Sequence, residues 1–254
     1  MRETMINRII SFIFLTFICV SCVFLFCIAL LIWLFTVAFD RRLKILHLFS
    51  CFWASIYIWV MPAWSVTIKG KENIDKHKTY IVISNHQSLL DILVAFRLFF
   101  HFKWVSKVEI FKIPFVGWNM GLNGYIPLVR GDKESVQKMF DDCNRSISQG
   151  NSIYMFPEGT RAKTRELKSF KPGAFVLAKD NHAPILPIAI AGTREALPKH
   201  SLNFHGKNQI IVEILPEIPC ETVEKLSVEE LSDKIHSIIS RRVMDNYQVI
   251  DSFF

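Results

Sequence analysis

From Ile9 to Phe39 the chain carries no charged side chain. After the cluster Asp40-Arg41-Arg42-Leu43-Lys44, a second uncharged run extends from Ile45 to Val66. A helix needs about 20 consecutive apolar residues to span a bilayer, so the first run exceeds the requirement and the second is about long enough. A cleaved signal peptide fits poorly, because the apolar core is too long and no small-residue cleavage site closes it. Residues 1–66 are therefore expected to form a hydrophobic membrane-anchoring segment. The basic cluster argues against a simple hairpin with its turn outside the cell, since such clusters favour the cytoplasmic side. A hairpin that dips into one leaflet keeps Arg41, Arg42 and Lys44 near anionic headgroups.

Four of the six cysteines (Cys19, Cys22, Cys27 and Cys51) lie inside the apolar runs, and Cys143 and Cys220 are isolated. Cys19 and Cys22 have a metal-like spacing, but hydrocarbon side chains surround them and no second pair follows, so free thiols are expected and no metal site. That usage places the remainder of the chain in the reducing cytoplasm, on the inner face of a membrane. The net charge of +7 suits anionic membrane surfaces or phosphorylated substrates. With no zinc-finger spacing and no RNA-binding signature, nucleic acid is not an expected partner.

Beyond the anchor, strand and helix patterns alternate without an internal repeat or a low-complexity linker. Thr79 to Ser84 is an apolar, β-branched run that predicts a strand, and Ser88 to about Phe99 predicts a buried helix. Further strands are expected at Phe102–Ser106, Tyr125–Val129, Ser152–Phe156, Ile185–Ile190 and Gln209–Ile214. A helix containing Ile113 to Trp118, one over 133–149 and one opening at Pro172 are expected between them. Ser227 and Glu230 form a capping box that opens a C-terminal amphipathic helix with Leu231, Ile235 and Ile238 on one side. Residues 67–254 are thus expected to be a single α/β domain built on a mixed sheet.

The chemistry concentrates where strands give way to loops. Asn85-His86-Gln87-Ser88-Leu89-Leu90-Asp91 follows the first strand, which places His86 in a strand-to-helix turn at the sheet end where α/β proteins bind ligands. Asp91, in the first turn of the helix, can fold back to an imidazole nitrogen and hold a general base in one tautomer. Ser88 and Asp91 also fit a plain capping box. If the strands run parallel, the loops at 84–88, 106–109, 129–132 and 156–161 share one edge. They bring His86, Asp91, Lys107, Glu109, Arg130, Glu158 and Arg161 together. Arg130, Arg161 and Lys107 around the turn at Gly159 would make a phosphate site. Glu158 could take a substrate hydroxyl. Lys107 and Glu109 also read as a solvated pair, and Lys163, Arg165, Lys168 and Lys171 as a solvated or membrane-facing loop.

Taken together, these residues resemble the glycerolipid acyltransferase family. Asn85-His86-x4-Asp91 looks like its His-x4-Asp motif, and Gly124 to Arg130 is similar to its second motif, which ends in a substrate-binding Arg. Phe156-Pro157-Glu158-Gly159-Thr160-Arg161 matches its third, and Ile185-Leu186-Pro187-Ile188 resembles a fourth associated with acyl-donor binding. The resemblance covers about residues 67–220. It implies that His86 and Asp91 are catalytic, and that Lys107, Arg130, Glu158, Gly159, Thr160 and Arg161 bind substrate. It further implies a membrane enzyme of phospholipid biosynthesis that acylates the sn-2 hydroxyl of lysophosphatidic acid. The donor would be acyl-CoA or an acyl-carrier protein as co-substrate, with no cofactor or metal. A thioester is already activated, so no covalent acyl-enzyme is required, and no Gly-x-Ser-x-Gly elbow is present. Another lysophospholipid or glycerol 3-phosphate as acceptor, a thioester or lipid hydrolase, and a catalytically silent lipid-binding protein are the alternatives.

Overall fold

The computed structural model describes residues 2–198 and 207–253, with side chains from residue 8 onward. Two helices open it: α1 (Arg2–Thr36) and α2 (Lys44–Val60). There follow β1 (Trp64–Lys69), β2 (Ile81–Ser84), α3 (Leu90–Phe96), β3 (Phe102–Lys107), α4 (Val108–Phe111), α5 (Val116–Leu122) and β4 (Ile126–Leu128). The remainder is α6 (Lys133–Ser148), β5 (Ser152–Met155), α7 (Gly173–Asp180), β6 (Ile185–Ala191), α8 (Thr193–Ala196), β7 (Asn208–Ile214), α9 (Cys220–Lys225) and α10 (Val228–Asp251).

The strands form one seven-stranded sheet in the order β1-β7-β6-β2-β5-β3-β4. From β6 to β4 every neighbouring pair is parallel, whereas β7 runs antiparallel to β6 and carries β1 parallel to itself. The sheet is mixed and doubly covered, which is why its central strands are apolar on both faces. Side chains alternate between the two layers. Val82, Tyr154 and Leu186 pack with α2 and α3, while Ile81, Ile153 and Ile185 pack with α7 and α10. One consequence positions all the chemistry. The C-terminal ends of β2, β5, β3 and β4 lie along the same edge, so the loops after them share it.

The hydrophobic front divides by role. Within α1, Arg8–Thr36 is long and apolar enough to cross a membrane, and only 11% of its most apolar window is buried. Helix α2, by contrast, is 17 residues long and belongs to the domain layer. Its polar residues His47, Ser50 and Ser55 are buried. His47 Nδ1 lies 2.9 Å from the Tyr125 hydroxyl and His47 Nε2 lies 2.9 Å from the Phe100 carbonyl. Asn119 and Asn123 both donate to Ser50 Oγ. The second apolar run is therefore too short to span, and it stops being helical at Val60 because Trp64 already begins β1. That edge strand was hidden in the tail of the run, and it straddles residues 66 and 67. Helix α1 lies along the domain instead of projecting from it. Phe14 packs edge-on against Trp64 at 5.7 Å, and Phe26 does so against Phe115 and Trp118. The basic turn is held too, by Arg42 Nε donating to Asn151 and Lys103 Nζ donating to the Arg42 carbonyl.

Two predicted helices are shorter than expected. Helix α3 ends at Phe96, and Phe99 adopts a positive φ of 50°. The helix expected across Ile113 to Trp118 is broken into α4 and α5. Pro114 cannot continue the first, and Phe115 turns the chain with φ of 62°. The capping box at Ser227 and Glu230 opens α10 as expected.

Gly192, between β6 and α8, has φ of 86°, and a Cβ there would lie 2.1 Å from the Gln209 carbonyl oxygen. Gly192→Ala should therefore cost at least roughly 1–3 kcal/mol in backbone strain alone. Urea unfolding measures it, and an unchanged midpoint would contradict the close approach of β7.

Candidate active site

Strand β2 ends at Ser84, and the next side chain prolongs its ladder. Asn85 Nδ2 donates to the Ile190 carbonyl at 2.8 Å, and Asn85 Oδ1 accepts from the Ile190 amide at 2.9 Å. This buried amide imitates a strand residue, so the backbone is free to turn and set His86 above the sheet edge.

Four contacts then fix His86. Its Nδ1 lies 2.8 Å from Asp91 Oδ2, and its ring stacks on Phe156 with centroids 4.1 Å apart and planes 18° from parallel. Its amide donates to Glu158 Oε1 at 2.7 Å, and its carbonyl accepts from the Ala162 amide at 2.8 Å. The imidazole keeps 12% of its surface accessible.

Asp91 is fully buried and gathers more donors than the imidazole alone. Oδ2 also accepts the amides of Gln87 at 2.6 Å and Ser88 at 2.8 Å, while Thr193 Oγ1 donates to Oδ1 at 2.5 Å. Both readings of Asp91 thus hold at once, since it serves the first-turn amides and the imidazole. Oδ2 already takes two backbone amides, which can only donate, so it meets the imidazole as an acceptor. Nδ1 is then the protonated nitrogen, and Nε2 keeps a lone pair with no partner among the described residues.

Ser88, the hydroxyl nearest this pair in sequence, is buried. Its Oγ donates to the Leu197 carbonyl at 2.7 Å and accepts from the Leu90 amide at 3.2 Å. It serves the turn as a structural group.

The loop after β5 is the second half of the site. Glu158 is 4% exposed and brackets the two halves, accepting from the His86 amide with Oε1 and from the Lys168 amide with Oε2. Its remaining lone pairs are the only capacity left for a substrate hydroxyl. Gly159 has φ of 70°, and a Cβ there would meet the Lys171 side chain at 3.0 Å. Thr160 is exposed, with its hydroxyl held by Lys168 Nζ at 2.7 Å. Arg161 is half-exposed and Arg130 is exposed, and neither guanidinium has a hydrogen-bond or ion-pair partner among the described residues. Lys107 lies on the same edge, paired at the surface with Glu109 at 3.0 Å. Arg130 follows β4, three strands from β2, or roughly 14 Å across the sheet.

Two expectations about the basic loop need correction. Lys163 and Lys171 are exposed, but Arg165 and Lys168 turn inward. Lys168 Nζ bonds Thr160 Oγ1 and the Arg161 carbonyl, and the Arg165 guanidinium bonds Glu195 and Asp251. Glu195 and Asp251, the acids that draw Arg165 in, stand close to it only once the chain folds. Thr193 was missed for the same reason, since it lies 102 residues from Asp91. A hydroxyl directly after a wholly apolar strand and a glycine was its only signal.

Burial raises the Glu158 carboxyl above its usual range, against the lowering effect of the two amides. A carboxyl with a higher pKa folded than unfolded contributes stability fully below its unfolded value and loses it as pH rises through the folded one. Glu158→Gln abolishes that titration. The stability of the native protein relative to the variant should fall as pH rises from about 4 through the raised Glu158 pKa. Urea unfolding across that range checks this, and a pH-independent difference would contradict it.

Comparison with known proteins places the chain. A family model described as Acyltransferase matches residues 65–191. A chloroplastic 1-acyl-sn-glycerol-3-phosphate acyltransferase of Brassica napus is 39% identical over 182 residues, covering 70% of this chain and 52% of that protein. The 1-acyl-sn-glycerol-3-phosphate acyltransferase of Haemophilus influenzae is 31% identical over 167 residues, 65% of this chain and 68% of its own. The chain spans about half the length of the plant relatives it matches. In three dimensions it shares the fold of the 1-acyl-sn-glycerophosphate acyltransferase of Thermotoga maritima. The TM-score is 0.78 at 23% identity, over 96% of this chain and 98% of that one.

Proposed function

Because this chain belongs to the acyltransferase family, with 1-acyl-sn-glycerol-3-phosphate acyltransferases among its relatives, we propose that it acylates lysophosphatidic acid to phosphatidic acid. The observation that carries the reading is the commitment of His86 Nδ1 to the four-donor Asp91 carboxylate, which leaves Nε2 as a base.

In this reading Nε2 takes the proton of the free sn-2 hydroxyl as its oxygen attacks the thioester carbonyl. The imidazolium that forms is stabilised by Asp91. When the tetrahedral intermediate collapses, the carbon–sulfur bond breaks and the thiolate receives that proton. The ester and the free thiol form as the neutral imidazole is regenerated. The transfer is direct, without an acyl-enzyme, and it fits the buried, doubly bonded state of Ser88. Holding the hydroxyl against Nε2 supplies much of the rate.

The unpartnered guanidiniums of Arg130 and Arg161, with Lys107 beside them, suit a phosphate monoester. Gly159 and Thr160 line the turn that would receive the glycerol, with the spare capacity of Glu158 available to its hydroxyl. The donor is an acyl-CoA or an acyl-carrier protein, and no further cofactor enters the scheme. The exposed apolar surface of α1 is assigned to the bilayer that holds acceptor and product. The sheet edge bearing His86 then works at the cytoplasmic interface.

Detergent-purified protein should make phosphatidic acid from labelled acyl-CoA or acyl-carrier protein and lysophosphatidic acid in the presence of EDTA. It should make no product with lysophosphatidylcholine and release no fatty acid without an acceptor. His86→Ala should lower turnover by roughly 10²–10⁴-fold while membrane association persists. Fatty acid release without an acceptor would instead identify a hydrolase, and acylation of lysophosphatidylcholine would assign another acceptor.

A further inference from the structure

Gln87 stands between the proposed base and a network that the reaction scheme does not use. It is 1% exposed, and both ends of its amide are engaged. Nε2 donates to the Arg165 carbonyl at 3.2 Å, and Oε1 accepts from the Tyr247 hydroxyl at 2.8 Å. Its backbone amide is one of the donors on Asp91 Oδ2. Whatever moves Gln87 therefore moves a ligand of the carboxylate that holds His86.

Two distant segments bond that side chain, and a third braces them. Tyr247, near the end of α10, also lies 3.1 Å from Glu195 Oε2, in the helix that supplies Thr193 to Asp91. Arg165, from the loop after the Glu158 turn, bonds Glu195 at 3.1 Å and both Asp251 oxygens at 2.8 and 3.2 Å. Its guanidinium lies 4.1 Å from the Tyr247 ring centroid, a cation–π contact on top of the bidentate pair. A solvated loop and a terminal helix need no such junction merely to cover a sheet. A planar cation stacked on a buried tyrosine and held by two carboxylates fixes the phenol with respect to the Gln87 amide.

We propose that Tyr247 is a positioning residue for the acyl-transfer reaction: its hydroxyl, set by Arg165, Glu195 and Asp251, holds Gln87 and through it the His86–Asp91 pair. The C-terminal helix is thereby part of the active-site frame, although none of its described side chains bonds directly to His86 or Asp91. This inference rests on the acyltransferase reading for its kinetic consequence and on geometry alone for the coupling.

Tyr247→Phe deletes one hydroxyl and keeps the ring under Arg165. It should lower kcat by roughly 10- to 100-fold, the scale expected when a remote change misplaces reacting groups. Both KM values should stay within about twofold, since no substrate contact is removed. Gln87→Leu should produce a similar fall, and the double variant should be no slower than the worse single one, because the two act through one link. Without substrate, the ring nitrogen resonances of His86 should move in Tyr247→Phe. Asp251→Asn, at the exposed end of the network, should move them in the same direction and by less. Unchanged kcat, multiplicative losses in the double variant, or unmoved His86 resonances would each overturn the proposal. Native protein that transfers no acyl group to lysophosphatidic acid would count against the acyltransferase reading, while the His86 resonances still decide the coupling.

Discussion

A wholly buried carboxylate is tolerable only when donors replace the water it loses. Asp91 meets that demand from two parts of the chain: the turn after β2, with the imidazole of His86 and the amides of Gln87 and Ser88, and the hydroxyl of Thr193 after β6. Each donor imposes a requirement on the fold. The amides require a sharp turn directly after β2, which Asn85 permits by bonding to Ile190 in place of the departing strand. Thr193 requires β6 to lie beside β2 and to end at Gly192, where β7 presses so close that no side chain fits. The sheet order and the site are therefore one constraint. Removing any donor leaves a buried charge short of a partner, a penalty on the order of 1–3 kcal/mol or more.

The parallel core of the sheet does the rest by alignment. Strands β2, β5, β3 and β4 end on one edge, so the loops carrying His86, Glu158, Arg161, Lys107 and Arg130 line that edge without being near in sequence, with Arg130 three strands from His86. Glu158 ties the first two loops together through backbone amides, and Lys168 secures the second loop from behind. The guanidiniums of Arg130 and Arg161, on the same edge, have no hydrogen-bond or ion-pair partner among the described residues. Meanwhile the apolar front supplies a long exposed helix, α1, laid against the domain by Phe14, Phe17 and Phe26. That arrangement sets an exposed apolar helix and a polar sheet edge in the same fold.

Much of this was legible in the sequence because it is local. Short apolar, β-branched runs marked β2, β3, β5, β6 and β7, and the five-residue spacing of His86 and Asp91 led to a contact that the fold makes. The capping box of α10 was equally plain. What escaped depends on partners far along the chain. Edge strand β1 looked like the tail of a membrane run, since Trp64 and Val66 are as apolar as a spanning helix. The inward polar face of α2 was obscured by its overall hydropathy, although His47 and Ser50 carried the signal. Arg165 read as solvated because nothing nearby in sequence revealed Glu195 or Asp251 as its partners, whereas Lys168 folds back within its own loop onto Thr160 and the Arg161 carbonyl. Pro114 divided α4 from α5 as local stereochemistry dictates, and it was passed over in favour of the surrounding apolar residues.

The central claim is that Asp91 locks His86 with its proton on Nδ1, which leaves Nε2 ready to accept one. Nitrogen-15 NMR of the imidazole at a pH where the ring is neutral reads this directly, since protonated and bare ring nitrogens resonate far apart. The account predicts a single Nδ1–H tautomer in the native protein. A predominant Nε2–H form, or an equal mixture of the two, would contradict it.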